Sequence, residues 1–219
     1  MNITWYGHSC FRIQTKKERG GEEINLFTDP FDKSIGLRPP QGNADIVTIS
    51  HQHFDHNQVQ SLKNNPFIID APGEYSLKGI TIRGIEAFHD QERGVKKGRN
   101  TIFTIESEDL RLCHLGDLGH LLEDKQIDAI GAVDILMIPV GGKNTLDSTL
   151  AEKVVSQLEP KIILPMHYAL PNLSFPLDSV EKFCNDLGNE TEKNIPRLVI
   201  KKKDLEEISG KIILLEVAN

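Results

Sequence analysis

Mixed α and β structure is predicted for this chain of 219 residues by three observations. Its first half is a succession of short β-rich runs. Its second half alternates such runs with amphipathic helical stretches. The segments rich in proline, glycine or charge, at residues 16–23, 37–43, 90–100 and 188–194, are all short enough to be hairpin tips and surface connections. None reads as a linker, so a single domain over residues 1–219 is expected. A hydrophobic content of 38% supports a core of that size.

Taken in order, residues 3–6, 10–15, 24–28, 46–49, 67–70 and 80–83 read as strands, because apolar, β-branched and aromatic residues recur there in alternating or continuous runs. Residues 101–106 and 111–114 continue the pattern, and from there strands and helices alternate. Residues 147–158 carry Leu150, Val154, Val155 and Leu158 on one helical face and stop before Pro160. Residues 162–164 form the next strand. A second helix over residues 179–187 has Val180, Phe183, Cys184 and Leu187 at core spacing, and Gly188 ends it. Residues 198–200 and 212–217 close the chain as strands.

The run Ser50-His51-Gln52-His53-Phe54-Asp55-His56-Asn57 follows the apolar residues 46–49 directly and places four metal-binding side chains within six residues at a strand end. In an extended segment residues two apart share a side, so His51 and His53 can bind one ion together. The turn that follows sends Asp55 and His56 the other way. Imidazole and carboxylate donors without a thiolate make a two-metal layout, suited to zinc, manganese or iron rather than to a closed structural zinc site. Three further candidates stand at the ends of strand-like runs: His89 in Ala87-Phe88-His89-Asp90, Asp117 in Leu115-Gly116-Asp117-Leu118-Gly119, and His167 in Leu164-Pro165-Met166-His167-Tyr168. Catalytic groups gather at strand ends and in the loops beyond them. A solvated histidine-rich loop is the plainer reading of the first run taken alone, and this downstream half weighs against it.

The series His51-x-His53-x-Asp55-His56, then His89, Asp117 and His167, resembles the five-motif ligand series of the metallo-β-lactamase superfamily, over nearly the whole chain. Tyr6-Gly7-His8-Ser9-Cys10-Phe11, Thr28-Asp29-Pro30-Phe31, Pro72-Gly73-Glu74-Tyr75 and Pro165-Met166-His167-Tyr168 resemble a branch of small hydrolases that includes the ascorbate-phosphate lactonases. The resemblance implies an α+β fold, a four-layer αββα sandwich with the ligands meeting along one edge. Carried over position by position, it puts His51, His53 and His89 on a first divalent ion and Asp55, His56 and His167 on a second, with Asp117 bridging. Zinc is the first expectation, and manganese and iron(II) are compatible. A hydroxide held between the ions would be the nucleophile, which makes Asp55 and Asp117 catalytic as well as ligating.

A net charge of −7, with Lys and Arg scattered, speaks against a duplex-binding stripe. RNA or DNA phosphodiester hydrolysis is chemically compatible with the same metals and stands as an alternative. Two dications less Asp55, Asp117 and one hydroxide leave the ligand sphere positive, so a small anionic ester, lactone or phosphodiester is the expected substrate. Arg93, Lys96, Lys97 and Arg99, in the segment after His89, are candidates to hold the anion; a solvated hairpin tip is the plainer reading. His8 and Asn144 are further candidate substrate contacts, and Asp29 a candidate to hydrogen-bond a ligating imidazole from behind. His114 and His120 flank Asp117 and are expected to be structural before either is a proton donor.

Cys10, Cys113 and Cys184 are odd in number and far apart, which gives no disulfide framework and agrees with a reducing compartment. The first residues show neither a basic nor an apolar leader pattern, and no apolar stretch approaches the ~20 residues of a spanning helix. A cytoplasmic enzyme with a small-molecule substrate and no membrane association is expected, and a homo-oligomer is compatible with it. The competing reading is a non-catalytic binding or regulatory module with a structural or empty metal site. Competent residues at all seven ligand positions count against it.

Overall fold

The computed structural model describes residues 1–16, 21–143 and 145–218. Strand β1 (Asn2–Gly7) pairs antiparallel with β2 (Cys10–Lys16), and β2 with β3 (Glu23–Thr28), so β1 and β3 run the same way. The short β4 (Gly42–Asn43) precedes β5 (Ile46–Thr48), which lies parallel to β3. Strand β6 (Leu62–Lys63) pairs with β4, and β7 (Phe67–Ile69) lies parallel to β5.

A second sheet begins with β8 (Gly73–Leu77), β9 (Ile80–Phe88), β10 (Arg99–Ser107) and β11 (Leu110–His114), each antiparallel to the one before. The chain then changes mode. Helix α1 (Asp124–Ile130) leads to β12 (Ile135–Pro139), and α2 (Ser148–Leu158) leads to β13 (Ile162–Met166), with β11, β12 and β13 mutually parallel. Helix α3 (Val180–Leu187) leads to β14 (Thr191–Ile195), β15 (Leu198–Val199) returns to the first sheet beside β1, and β16 (Lys211–Leu215) lies between β13 and β14. The sheet orders are β15-β1-β2-β3-β5-β7 and β14-β16-β13-β12-β11-β10-β9-β8.

Alternation sorts the side chains. Ile3, Trp5, Phe11, Ile13 and Leu26 of the first sheet share one buried cluster with Ile82, Phe103, Ile105 and Leu112 of the second. Ala151, Val154 and Val155 of α2 and Val180 and Phe183 of α3 belong to the same cluster, so the helices cover the second sheet's outer face. Strands β12 and β13 are therefore buried on both faces, which is why their sequences are continuously apolar. The first sheet's other face carries a separate cluster of Cys10, Phe27, Phe31, Ile35, Val47, Ile49 and Leu62. It is packed with loop residues and with 3₁₀ turns at Lys33–Ile35 and Val59–Ser61. The result is the expected α+β sandwich of four layers, its outer cover on the first sheet built from turns. Among the described residues no helix is long and apolar enough to cross a membrane.

Strands β4, β6, β8, β12 and β14 and helix α1 go beyond the elements expected from sequence, and β9 runs nine residues rather than four. The strands that carry the site's loops run parallel within each sheet: β1, β3 and β5 in the first, β9, β11 and β13 in the second. The loops after these six strands meet at one edge, as ligand sites commonly do at the carboxyl ends of strands.

Candidate metal centre

Three residues that each directly follow a strand, His8, Asp29 and His167, have φ of 52°, 39° and 51°. The left-handed region costs a residue with a Cβ roughly 1–2 kcal/mol, and it persists here because the backbone is tied down. The Asp29 N–H donates to Thr48 O at 2.9 Å, and the His167 N–H donates to His8 O at 3.1 Å. Strain of this kind collects at functional sites. After β5, the His56 N–H donates to His53 O at 3.0 Å and closes a turn. That turn sends His51 and His53 one way and Asp55 and His56 the other.

Three groups of donor atoms result, each contained within 4.8 Å: His51, His53 and His89; His8, Asp55, His56 and His167; and Asp29, His51 and His56, which shares a histidine with each of the first two. His51 Nε2 and His53 Nδ1 are 2.9 Å apart. Asp117 stands between the first two groups: its Oδ2 lies 3.2 Å from His89 Nε2, 3.2 Å from His167 Nε2, 3.3 Å from His56 Nε2 and 3.9 Å from His51 Nε2. Its buried Oδ1 has no hydrogen-bond partner among the described residues. The turn that delivers it needs Gly116, at φ 54°, where a Cβ would come within 2.4 Å of Asn100 Oδ1 and 2.5 Å of Ser50 Cβ. Asn100 in turn accepts from the Asp117 N–H at 3.0 Å and donates to Leu115 O at 2.9 Å.

Behind the ligand face, Asp29 Oδ2 is 2.9 Å from His56 Nδ1 and accepts from Ser50 Oγ at 2.6 Å, while Asp29 Oδ1 accepts from the Ser50 N–H at 2.7 Å. Ser50 Oγ lies 2.9 Å from His51 Nδ1. The protons therefore belong on the Nδ1 atoms of His51 and His56, which leaves both Nε2 lone pairs facing inward.

Burial raises the Asp117 carboxyl, but the flanking His167 and His56 outweigh it and hold the pKa well below the usual range. Burial would lower His56, yet the Asp117 charge and the bonds to Asp117 and Asp29 hold it well above its ordinary value. His51 is pushed down to about 3 by burial and by His56, and His8 to about 4 by burial and by His167. His51 and His8 are thus kept as neutral nitrogen donors, and the negative field of Asp117 and Asp29 that raises His56 is one that equally favours a cation at its Nε2.

A cavity of about 500 Å³ opens onto this cluster, lined by His53, Phe54, Asp55, His89, Lys97, Asp117, His167 and Phe175. Of the four expected loop cations Lys97 reaches it. Arg93 lies at the surface 3.7 Å from Glu123, Lys96 pairs with Glu92, and Arg99 lies 3.6 Å from Glu86. His8 is 1% exposed and sits behind the cavity wall in the second donor group. Asn144 lies outside the described residues. His114 is structural on both ring nitrogens, Nε2 lying 2.9 Å from Ser9 O and Nδ1 accepting from the Gly116 N–H. His120 is held the same way, by Leu121 O and the Phe88 N–H.

Sequence reasoning passed over Ser50, Asn100, Asp90 and the aromatic walls Phe54 and Phe175. Asp90 organises the loop that carries Lys97, its carboxylate accepting from the N–H groups of Glu92, Gly94, Lys96 and Lys97 at 2.8–3.0 Å. An Asp opening a loop with glycines at 94 and 98 was the available signal.

Imidazole nitrogens and two carboxylates, one of them Asp117 with a buried oxygen that has no partner among the described residues, fit divalent cations. Fold and site together define the metallo-β-lactamase superfamily of metal-dependent hydrolases, and the chain belongs to it. Residues 2–167 match the model of the β-lactamase superfamily domain. A UPF0173 protein of Pyrococcus abyssi is 29% identical over 96% of this chain and 99% of its own. A UPF0173 metal-dependent hydrolase of Thermoplasma acidophilum is 24% identical over 77% of this chain and 83% of its own. Among solved structures, a candidate zinc-dependent hydrolase of the metallo-β-lactamase superfamily from Thermotoga maritima superposes with a TM-score of 0.78 at 37% identity, covering 98% of this chain and 99% of that one. The metallo hydrolase Igni18 of Ignicoccus hospitalis shares the fold, with a TM-score of 0.67 at 20% identity over 100% of this chain and 96% of that one.

Proposed function

We propose that the chain is a binuclear hydrolase of small anionic esters, lactones or phosphodiesters. In this reading His51, His53 and His89 hold one divalent cation, Asp55, His56 and His167 hold a second, and Asp117 serves both. The observation that carries it is Asp117: one carboxylate oxygen lies 3.2–3.3 Å from imidazoles of both donor groups, while the other, buried, has no partner. Bound there, two divalent cations would supply Lewis acidity to the attacking water and to the scissile oxygen.

The chain's own side chains do the rest. Asp29 and Ser50 fix the His56 and His51 tautomers, so that ligation needs no reorientation of either ring. Lys97, at the cavity, attracts and orients the substrate anion, and the Asp90 carboxylate holds its backbone in place. Phe54 and Phe175 present apolar surface to the cavity that accommodates a small organic group. Zinc suits the donor set best, and cytoplasmic action on a diffusible substrate agrees with three free, buried cysteines.

The test is elemental analysis of untagged protein, followed by turnover of phosphodiester, lactone and ester panels with the metal found. About two ions per chain and hydrolysis of one anionic class are expected. A chain that takes up no ion even after reconstitution defeats the reading.

A further inference from the structure

His8 is the one imidazole of the cluster that the ligand series leaves without a role, and its position is specific. Its Nε2 lies 3.1 Å from Asp55 Oδ2 and 3.1 Å from His56 Nε2, while Asp55 Oδ2 and His56 Nε2 are 3.6 Å apart. Ligand atoms about 2.0–2.1 Å from a zinc that has expanded to five ligands stand roughly 2.9–3.6 Å from one another, at angles near 90° and 120°. The three spacings fall in that range. The single Nε2 of His8 can donate or accept one hydrogen bond, which explains one of the two 3.1 Å contacts but not why Asp55 Oδ2 and a second imidazole nitrogen stand equally close to it.

The local chain is built to put the ring there. The β1–β2 register shifts between Trp5 and Gly7, a bulge of the sort that re-aims a side chain beside a site. Gly7 takes φ 96°, and a Cβ on it would come within 2.9 Å of Leu37 Cδ1. His8 follows in the left-handed region, its carbonyl accepting from Trp5 Nε1 at 3.0 Å and from the His167 N–H at 3.1 Å. The two strained residues are thereby tied together, and their rings stand 4.3 Å apart, centroid to centroid. His8 does not line the cavity, so it faces the donor group rather than a substrate.

We infer that His8 Nε2 is a ligand of the second cation, which then has four protein ligands of its own, His8, Asp55, His56 and His167, beside the shared Asp117. This rests on the binuclear reading and deepens it by making the two positions unequal. The second ion, with more protein ligands, would be the more tightly held. The first, with three imidazoles and Asp117, keeps its free coordination toward the cavity and is the exchangeable one.

The experiment titrates the metal-free full chain with zinc against a chromophoric chelator, for the native protein and for His8→Gln and His8→Glu. Gln can donate a hydrogen bond to Asp55 but is a poor zinc ligand; Glu can ligate zinc but cannot donate. The native chain is expected to take up two ions, one at least tenfold tighter. In His8→Gln the tighter affinity should fall by more than about 100-fold, beyond what loss of an outer hydrogen bond produces, whereas His8→Glu should stay within about tenfold. Two ions bound by His8→Gln with native affinity would overturn the assignment of His8 and leave the binuclear reading standing. No uptake by the native chain would overturn both. Should both variants bind poorly, the native chain decides, loaded with cadmium-113 and labelled with nitrogen-15 histidine. A coupling between cadmium and His8 Nε2 supports ligation, and its absence in a doubly loaded chain overturns it.

Discussion

Asp29 and His56 are locked together at 2.9 Å between Oδ2 and Nδ1, and neither side chain is open to solvent. The same carboxylate accepts from both the hydroxyl and the N–H of Ser50. In Asp29→Asn either amide orientation sets an N–H against a donor, so the His56 tautomer is no longer enforced. The affinity for the second cation is expected to fall by about 10–100-fold with little change in fold, as read by chelator competition and circular dichroism.

Asp117→Asn removes one charge and one ligating oxygen from a position shared by both donor groups. Hydrolysis should fall by more than the ~100-fold typical of losing an outer partner of a ligand, and metal content should drop below two ions per chain. Native turnover by the variant would place the chemistry elsewhere.

Lys97 reaches the cavity and Arg93 does not. Lys97→Ala is therefore expected to raise KM for an anionic substrate about tenfold, ~1.4 kcal/mol, and to leave a neutral ester of similar size unaffected. Arg93→Ala should change neither, its side chain being 81% exposed and turned toward Glu123. Steady-state kinetics on the paired substrates separates the two.

Burial raises the Asp90 carboxyl, but four backbone N–H groups outweigh it and hold its pKa below the usual range. A depressed pKa contributes stability above the unfolded value, about 3.9, and that stability is lost as the pH falls through the lower folded value. The protection of the Lys96 and Lys97 amides against hydrogen exchange should therefore be constant near neutrality and collapse below about pH 4. In Asp90→Ala it should be weak at every pH, at a cost of about 1–3 kcal/mol for the unpaired donors.

The ligands were legible because they sit at the ends of short apolar runs and in a fixed order. His51, His53, Asp55 and His56 needed only the period of a strand and one turn to be separated into two groups. Strand β12, Ile-Leu-Met-Ile-Pro, was ambiguous for a physical reason: an apolar run of five between parallel neighbours carries no alternation to distinguish it from buried helix. Strand β14, Thr-Glu-Lys-Asn-Ile, looks like a loop because it is an edge, where charge discourages further pairing. Helix α1 is short and polar, with Gln126 and Ile130 its buried residues. Phe175 acts through tertiary placement, which no local pattern reports, whereas the loop bonds of Asp90 are local and its signal was the Asp with the two glycines that follow.

The donors are divided between the sheets: His8, Asp29 and the residues from Ser50 to His56 follow strands of the first, and His89, Asp117 and His167 follow strands of the second. Neither sheet alone owns a complete set. An emerging polypeptide thus has no finished cluster until Met166 and His167 have been synthesised and β13 has docked. Such long-range closure is a late event in folding. Uptake of a full complement of cations would accordingly report completed tertiary assembly, and a copy truncated before His167 should retain fewer ions than the native chain.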